Sequence, residues 1–174
     1  MQKRVSEVKR LFIDVKPILT GAVDVIEFDD TLAPPAPFNG IEFPEPVRVV
    51  GRIKNMAGYM TLTASASVPY ITRCARCLKE ISRVFTHTFT RTLATRLQNG
   101  ENDDYLLIRD DRVALDEPLL EDLVLNLDFV YLCKEDCKGL CPRCGKDRNE
   151  GECGCSDKKE VDPRLAILAK FLDK

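Results

Sequence analysis

The eight cysteines of this 174-residue chain fall in two places: Cys74 and Cys77 in mid-chain, and Cys133, Cys137, Cys141, Cys144, Cys153 and Cys155 near the end. Two cysteines separated by two residues turn back onto one metal ion without strain, and both Cys74-Ala75-Arg76-Cys77 and Cys141-Pro142-Arg143-Cys144 have that spacing. Eight thiolates make two tetrahedra of four, the coordination zinc prefers. Gly145 permits the tight turn that closes a zinc knuckle, and Gly154 relaxes the turn between Cys153 and Cys155. The later cysteines sit among Lys, Arg, Asp, Glu and Gly instead of on an apolar face, so they read as ligands and not as packed thiols.

Redox setting points the same way. No apolar run reaches the ~18–20 residues that cross a bilayer, and the start, Met1 to Glu7, lacks the apolar segment of a secretory signal. The expectation is a cytoplasmic protein, where thiols stay reduced and metal is favoured over four disulfides. An economical partition gives a local site of Cys141, Cys144, Cys153 and Cys155. Cys74, Cys77, Cys133 and Cys137 would then form a second site that staples the strands to the end of a helix. The alternative, in which Cys133, Cys137, Cys141 and Cys144 share an ion, stays open. All-cysteine sites are closed and structural, whereas a catalytic zinc keeps a position for water. His87, the single histidine, stands in register with Phe85 and Phe89 and reads as structural. With no nucleophile–histidine pair, no G-x-S-x-G and no phosphate-cradling glycine loop, the chain is not expected to be an enzyme.

The net charge of −2 gives no general affinity for nucleic acid, but its distribution is uneven. Residues 73 to 96 carry Arg73, Arg76, Lys79, Arg83, Arg91 and Arg96 against Glu80 alone, whereas residues 97 to 136 hold twelve acids against three bases. The six basic residues are the candidate phosphate contacts, with Arg76, Arg83 and Arg91 expected on a wet strand face. The other reading is a solvated face that balances its acidic neighbour. There is no Trp, and Phe85 and Phe89 read as core, so a stacking platform for single strands is missing. The paired acids Asp103-Asp104 and Asp110-Asp111 read as solvated turns.

The elements that must position these groups follow from periodicity. Residues 1–45, with Val5 to Phe12 amphipathic and Leu32-Ala33-Pro34-Pro35-Ala36-Pro37 resisting regular structure, read as an arm and loop. Residues 46–132 read as a β-rich core with a helix. Met60, Leu62, Ala64, Ala66 and Val68 alternate with hydroxyl residues, and a turn at residues 55–58 pairs this strand with Val47 to Lys54. A third strand carries Phe85, Phe89, Leu93 and Leu97, and Tyr105 to Ile108 with Arg112 to Leu115 suggest a short hairpin. Asp116 is the expected cap of a helix whose inward face is Leu119, Leu120, Leu123, Val124 and Leu127. Residues 133–174 read as a cysteine-rich zinc segment and a last helix from Asp162-Pro163 through Leu165, Leu168 and Leu172. The fold class is therefore α+β: an antiparallel sheet or small barrel with packing helices and a zinc-binding segment.

At Cys74-Ala75-Arg76-Cys77-Leu78, and again from Cys133 through Cys137-Lys138-Gly139-Leu140-Cys141-Pro142-Arg143-Cys144-Gly145, the sequence resembles the YceD family, the bacterial large ribosomal RNA subunit accumulation proteins. The similarity continues through Asn149, Cys153-Gly154-Cys155 and Asp162-Pro163-Arg164-Leu165. The resemblance implies a role in accumulation or processing of large-subunit ribosomal RNA, with pre-ribosomal RNA or a large-subunit ribosomal protein as partner. It supplies no catalytic residues, and because members differ in how many terminal cysteines they keep, it implies that metal supports the fold. Two other readings compete: a zinc–thiol redox switch, and a zinc-containing nucleic-acid-binding regulator, which lacks a recognition-helix pattern here.

Overall fold

The computed structural model describes residues 10–96 and 105–155. The helix expected from Asp162 onward, most of the amphipathic start and Asp103-Asp104 lie outside the described residues. Strands β1 (Phe12–Asp14), β2 (Val25–Leu32), β3 (Val47–Met56), β4 (Tyr59–Arg73), β5 (Glu80–Ala94), β6 (Tyr105–Leu107) and β7 (Arg112–Ala114) are joined by helices α1 (Lys16–Leu19) and α2 (Asp116–Leu125). Five of these strands form one sheet in the order β2-β3-β4-β5-β6, and β1 pairs with β7 in a second. The main sheet is an antiparallel meander except for β6, which runs parallel to β5. Among the described residues it is open, with β2 and β6 at its edges, and does not close into the small barrel that the sequence left as an alternative.

Alternation decides which face is buried. Every even-numbered residue of β4 from Met60 to Thr72 is buried while its odd-numbered neighbours are half-covered, as a central strand requires. The register lines up Phe28, Gly51, Ala64 and Phe89 in one row across four strands. Gly51 belongs there because a Cβ would stand 2.6 Å from the Phe28 ring and 2.8 Å from Ala64 Cβ. Large outer and small inner residues thus fill the row without overlap. The β3–β4 turn is tighter than a glycine alone predicts: Ala57 and Gly58 both have positive φ, at 52° and 90°, which is the two-residue turn that matches strand twist. The Asn55 Oδ1 accepts from the Gly58 N–H at 3.0 Å and holds it.

The segment before residue 46 supplies more than a loop. Leu11, Ile13, Val15, Ile18, Leu32, Ile41 and Phe43 are all buried in the common core. Asn39 and Gly40, both at positive φ, turn the chain so that Phe38 and Ile41 exchange backbone hydrogen bonds. The hairpin expected from Tyr105 to Leu115 is different in kind. Asp110 and Asp111 do form a turn bridging Arg109 and Arg112, but its two arms part: β6 joins β5, and β7 joins β1. Helix α2 begins at Asp116, which sits with Glu117 in the first turn, where negative charge favours the helix dipole; the cap is Leu115, with no side-chain hydrogen bond.

Helix α2 docks on β5 through charge as well as through Leu119 and Leu123. Asp122 Oδ1 accepts from Arg91 Nη2 at 3.0 Å, and its Oδ2 lies 2.7 Å from His87 Nε2. The Arg91 guanidinium also lies 4.9 Å over the Phe89 ring. Arg83, His87 and Arg91 therefore share one face of β5 with Ile81, Phe89 and Leu93; Arg91 is half-buried there against α2 and departs from the wet-face expectation, whereas Arg83 stays exposed. Asp122 on the helix answers the two polar residues His87 and Arg91 on that face. Asp122→Ala should lower the unfolding free energy by about 2 kcal/mol. In that background Arg91→Ala should cost clearly less than in the wild type, as urea titrations of the double-mutant cycle would show. Additive losses would mean that the pair does not hold the helix.

Candidate metal centres

The chain between β4 and β5 is the first knuckle. Cys74 N–H donates to the Lys79 carbonyl at 2.8 Å, and Leu78 N–H donates to the Cys74 carbonyl at 2.9 Å. The same two bonds recur 67 residues later, where Cys141 N–H donates to Lys146 and Gly145 N–H to Cys141, both at 2.8 Å. Cys-Ala-Arg-Cys-Leu-Lys and Cys-Pro-Arg-Cys-Gly-Lys are thus one device used twice. The fifth position needs a left-handed backbone: φ is 74° at Gly145 and 61° at Leu78, where a side chain bears strain that glycine avoids.

The eight sulfurs gather as Cys74, Cys77, Cys133 and Cys137, and as Cys141, Cys144, Cys153 and Cys155, each set within 4.8 Å of one another. This is the economical partition, and the set that would join Cys133 and Cys137 to Cys141 and Cys144 does not form. Cys74 and Cys137 sulfurs are 3.7 Å apart, and those of Cys77 and Cys133 are 3.6 Å apart. A disulfide is about 2.05 Å, whereas thiolates on a tetrahedral ion with bonds of about 2.3 Å stand about 3.8 Å apart. The donor set and spacing therefore fit a metal ion in each group. All eight thiols are free. The first centre is enclosed, with Cys74, Cys77 and Cys137 buried, whereas Cys144 of the second is exposed.

Ionisation is uneven within each ring. Burial opposes the Cys74 thiolate, but the backbone amides of Cys77, Cys133 and Arg76 prevail and bring its pKa down to about 6. Amides of Cys144 and Arg143, with the Cys153 thiol, bring Cys141 down to about 6. Burial and the adjoining thiols push Cys133 up to about 12, and the Cys144 and Cys153 thiols do the same for Cys155. In the first ring burial also opposes the Cys137 thiolate, but the Asn149 amide and the Gly139 backbone lower its pKa, while Cys133 resists, because several negative sulfurs at this spacing need a cation.

The two centres are bolted together by residues that are not ligands. Lys79, from the first knuckle, reaches Asp147 at 3.1 Å and Glu150 at 3.0 Å in the second, and these acids raise its pKa. Asn149 Nδ2 donates to the Cys137 sulfur at 3.4 Å, while its Oδ1 accepts from Lys138 N–H at 2.9 Å. An amide donor to a ligand sulfur spreads the thiolate charge and fixes its direction. Gly139 (φ 70°) lets Leu140 N–H reach the Arg76 carbonyl at 3.0 Å; a Cβ there would stand 2.9 Å from that oxygen. Ligand spacing alone does not reveal Asn149 or Gly139, because their roles depend on which loops meet.

The six basic residues have different surroundings. Arg76 Nη1 donates to the Cys137 carbonyl at 2.9 Å, and Arg83 Nη2 to the carbonyls of Leu132 and Cys133 at 3.0 and 3.2 Å. Lys79 and Arg91 hold the ion pairs already described. Arg73 and Arg96 are exposed, at the end of β4 and beyond β5. Four of the six thus bind other parts of this chain.

The family described as large ribosomal RNA subunit accumulation protein YceD matches residues 62–172, which include all eight cysteines. The chain belongs to this family. It is similar to the YlbN protein of Bacillus subtilis, 30% identical over 130 residues that cover 73% of this chain and 74% of that one. A Mycobacterium tuberculosis protein is 30% identical over 125 residues, 70% of this chain and 59% of its own. A Mycobacterium leprae protein is 23% identical over 113 residues, 60% of this chain and 50% of its own. The chain thus spans roughly three fifths or less of the mycobacterial relatives it matches. No solved structure matches. No helix among the described residues is long and apolar enough to cross a membrane.

Gly139 and Gly154 have nearly the same φ, 70° and 69°, but a Cβ on Gly154 meets nothing within 4 Å. Gly154→Ala should cost the backbone strain alone, about 1–2 kcal/mol. Gly139→Ala should cost roughly 1–3 kcal/mol more. Denaturant titration of the metal-loaded proteins measures both, and equal losses would contradict the close approach of Gly139 to the first knuckle.

Proposed function

We propose that this protein is a non-enzymatic factor that supports accumulation and processing of large-subunit ribosomal RNA, and so ribosome assembly, in the bacterial cytoplasm, with two structural zinc ions. Its partner is pre-ribosomal large-subunit RNA or a large-subunit ribosomal protein. The observation that carries the reading is the family match over a segment whose eight cysteines form two closed groups of four. Closed thiolate sites leave no position for a reacting water, which supports a structural metal over a catalytic one. Thiolate-rich tetrahedra suit zinc.

Of the six basic residues assigned as phosphate contacts, Arg76, Lys79, Arg83 and Arg91 also serve the fold, so their role in RNA binding is tested last. Arg73 and Arg96 are exposed and provide the cleaner test. The zinc–thiol switch is the second reading, and the observation that favours it is the exposed Cys144 beside half-buried Cys153 and Cys155. Oxidation there would release metal from the second centre and leave the enclosed first one loaded.

Elemental analysis of protein purified without added metal should give about two zinc equivalents, falling to about one in Cys144→Ser. Absence of zinc would sink the metal reading. In cells, deleting the protein should lower the ratio of large- to small-subunit ribosomal RNA, and the wild type should restore it while the Cys74→Ser/Cys77→Ser double variant should not. An unchanged ratio after deletion would remove the ribosomal role. Arg73→Glu with Arg96→Glu should weaken RNA association if the basic segment touches phosphate, and reduce its salt dependence.

A further inference from the structure

The end of α2 and the short connection after it display apolar side chains to water. Phe129 is 88% exposed, Leu125 79% and Val130 63%. Isolated exposed apolar residues need no explanation, but three within six positions make a patch. This patch is not loose chain. On one side Leu127 is buried and its N–H donates to the Val124 carbonyl at 3.3 Å. On the other side Tyr131 is buried, its carbonyl accepts from Ala75 N–H at 2.8 Å, and Arg83 grips the next two carbonyls. Asp128, Phe129 and Val130 are therefore held out between two anchors, the second of which is the wall of the first metal centre.

Charge says what such a patch can receive. From Val113 to Cys133 there are five acids and no Lys or Arg. Asp122 is answered by Arg91, but Glu117, Glu121 and Asp128 are exposed. Glu117, Glu121 and Leu125 follow one another at four-residue intervals and so share one side of α2, which leads to Phe129 and Val130. RNA phosphates are repelled by this surface, and a second copy meeting it face to face would set acid against acid. A basic protein segment with an apolar anchor complements both its charge and its apolar centre.

We propose that the exposed side of α2 through Glu117, Glu121 and Leu125, continued by the Asp128–Val130 connection, forms a docking surface for a basic protein, with Phe129 as the central anchor and Glu117, Glu121 and Asp128 as the charged rim. The inference goes beyond the ribosomal reading and does not require it. The first metal centre acts on this surface by holding Tyr131 to Cys133 in place, so the metal presents the surface without touching the partner.

The test places the photo-crosslinking residue benzoylphenylalanine at position 129 of the full-length protein in living cells and identifies the adducts by mass spectrometry. The expected adduct is a protein with an excess of Lys and Arg. Binding of that purified protein should fall about tenfold or more with Phe129→Ser. It should also weaken with Glu121→Lys and with rising salt. Both positions are exposed, so zinc content and thermal midpoint should stay those of the wild type. Adducts with RNA, with a second copy or with an acidic protein would overturn the proposal. So would no adduct, or a basic partner whose binding ignores both substitutions. A normal ribosomal RNA ratio after deletion, with the basic adduct present, would remove the ribosomal reading and leave this one standing.

Discussion

Four thiolates within 4.8 Å of one another repel unless a cation sits among them, and the first centre places that constraint between parts of the chain about 60 residues apart. Cys74 and Cys77 belong to the tip of the β4–β5 hairpin; Cys133 and Cys137 follow α2. An ion there would close a long loop, whose ordering is otherwise opposed by chain entropy. Around it the backbone has few alternatives: Ala75 binds Tyr131, Arg83 binds Leu132 and Cys133, and Arg76 binds Cys137 and Leu140. The sheet, the helix and the cysteine-rich segment meet at this point.

The second centre depends on the first more than the reverse. It is built on a repeat of the same knuckle, but its ligands are more exposed and it carries no strand of the main sheet. What fixes it is a set of ties to the first knuckle and its ligands: Lys79 to Asp147 and Glu150, Asn149 to Cys137, and Leu140 to Arg76. Basic residues that sequence composition alone would spread over a surface are used here as internal ties. Those ties answer the acidic charge of α2 and the second loop.

The Cys141–Cys155 group and the β3–β4 hairpin were legible because both are local: spacing sets which ligands can meet, and strict alternation sets a strand face; the long-range first group followed only as the four cysteines left over. The inward turn of Arg91 was hidden because polarity is a poor guide to a face whose partner is an acid on a helix about 30 residues away. The pairing of β1 with β7 was hidden for a similar reason, since three-residue strands have no period to read. The Asn39-Gly40 turn did carry a signal, a residue pair suited to two positive φ values, but the prolines before it masked it. Asp110-Asp111 reads as a turn and is one, although the strands it joins leave in different sheets.

The central claim is that metal in the first centre organises the junction of hairpin, helix and loop. Hydrogen exchange on the full-length protein, comparing the metal-loaded wild type with Cys77→Ser, tests it most directly. The account predicts lost protection at Ala75, Leu78 and Leu140, and in α2 through Leu127, while β3 and the middle of β4 keep theirs. Unchanged protection at Ala75 and Leu140 in a variant shown to lack the first ion would contradict it.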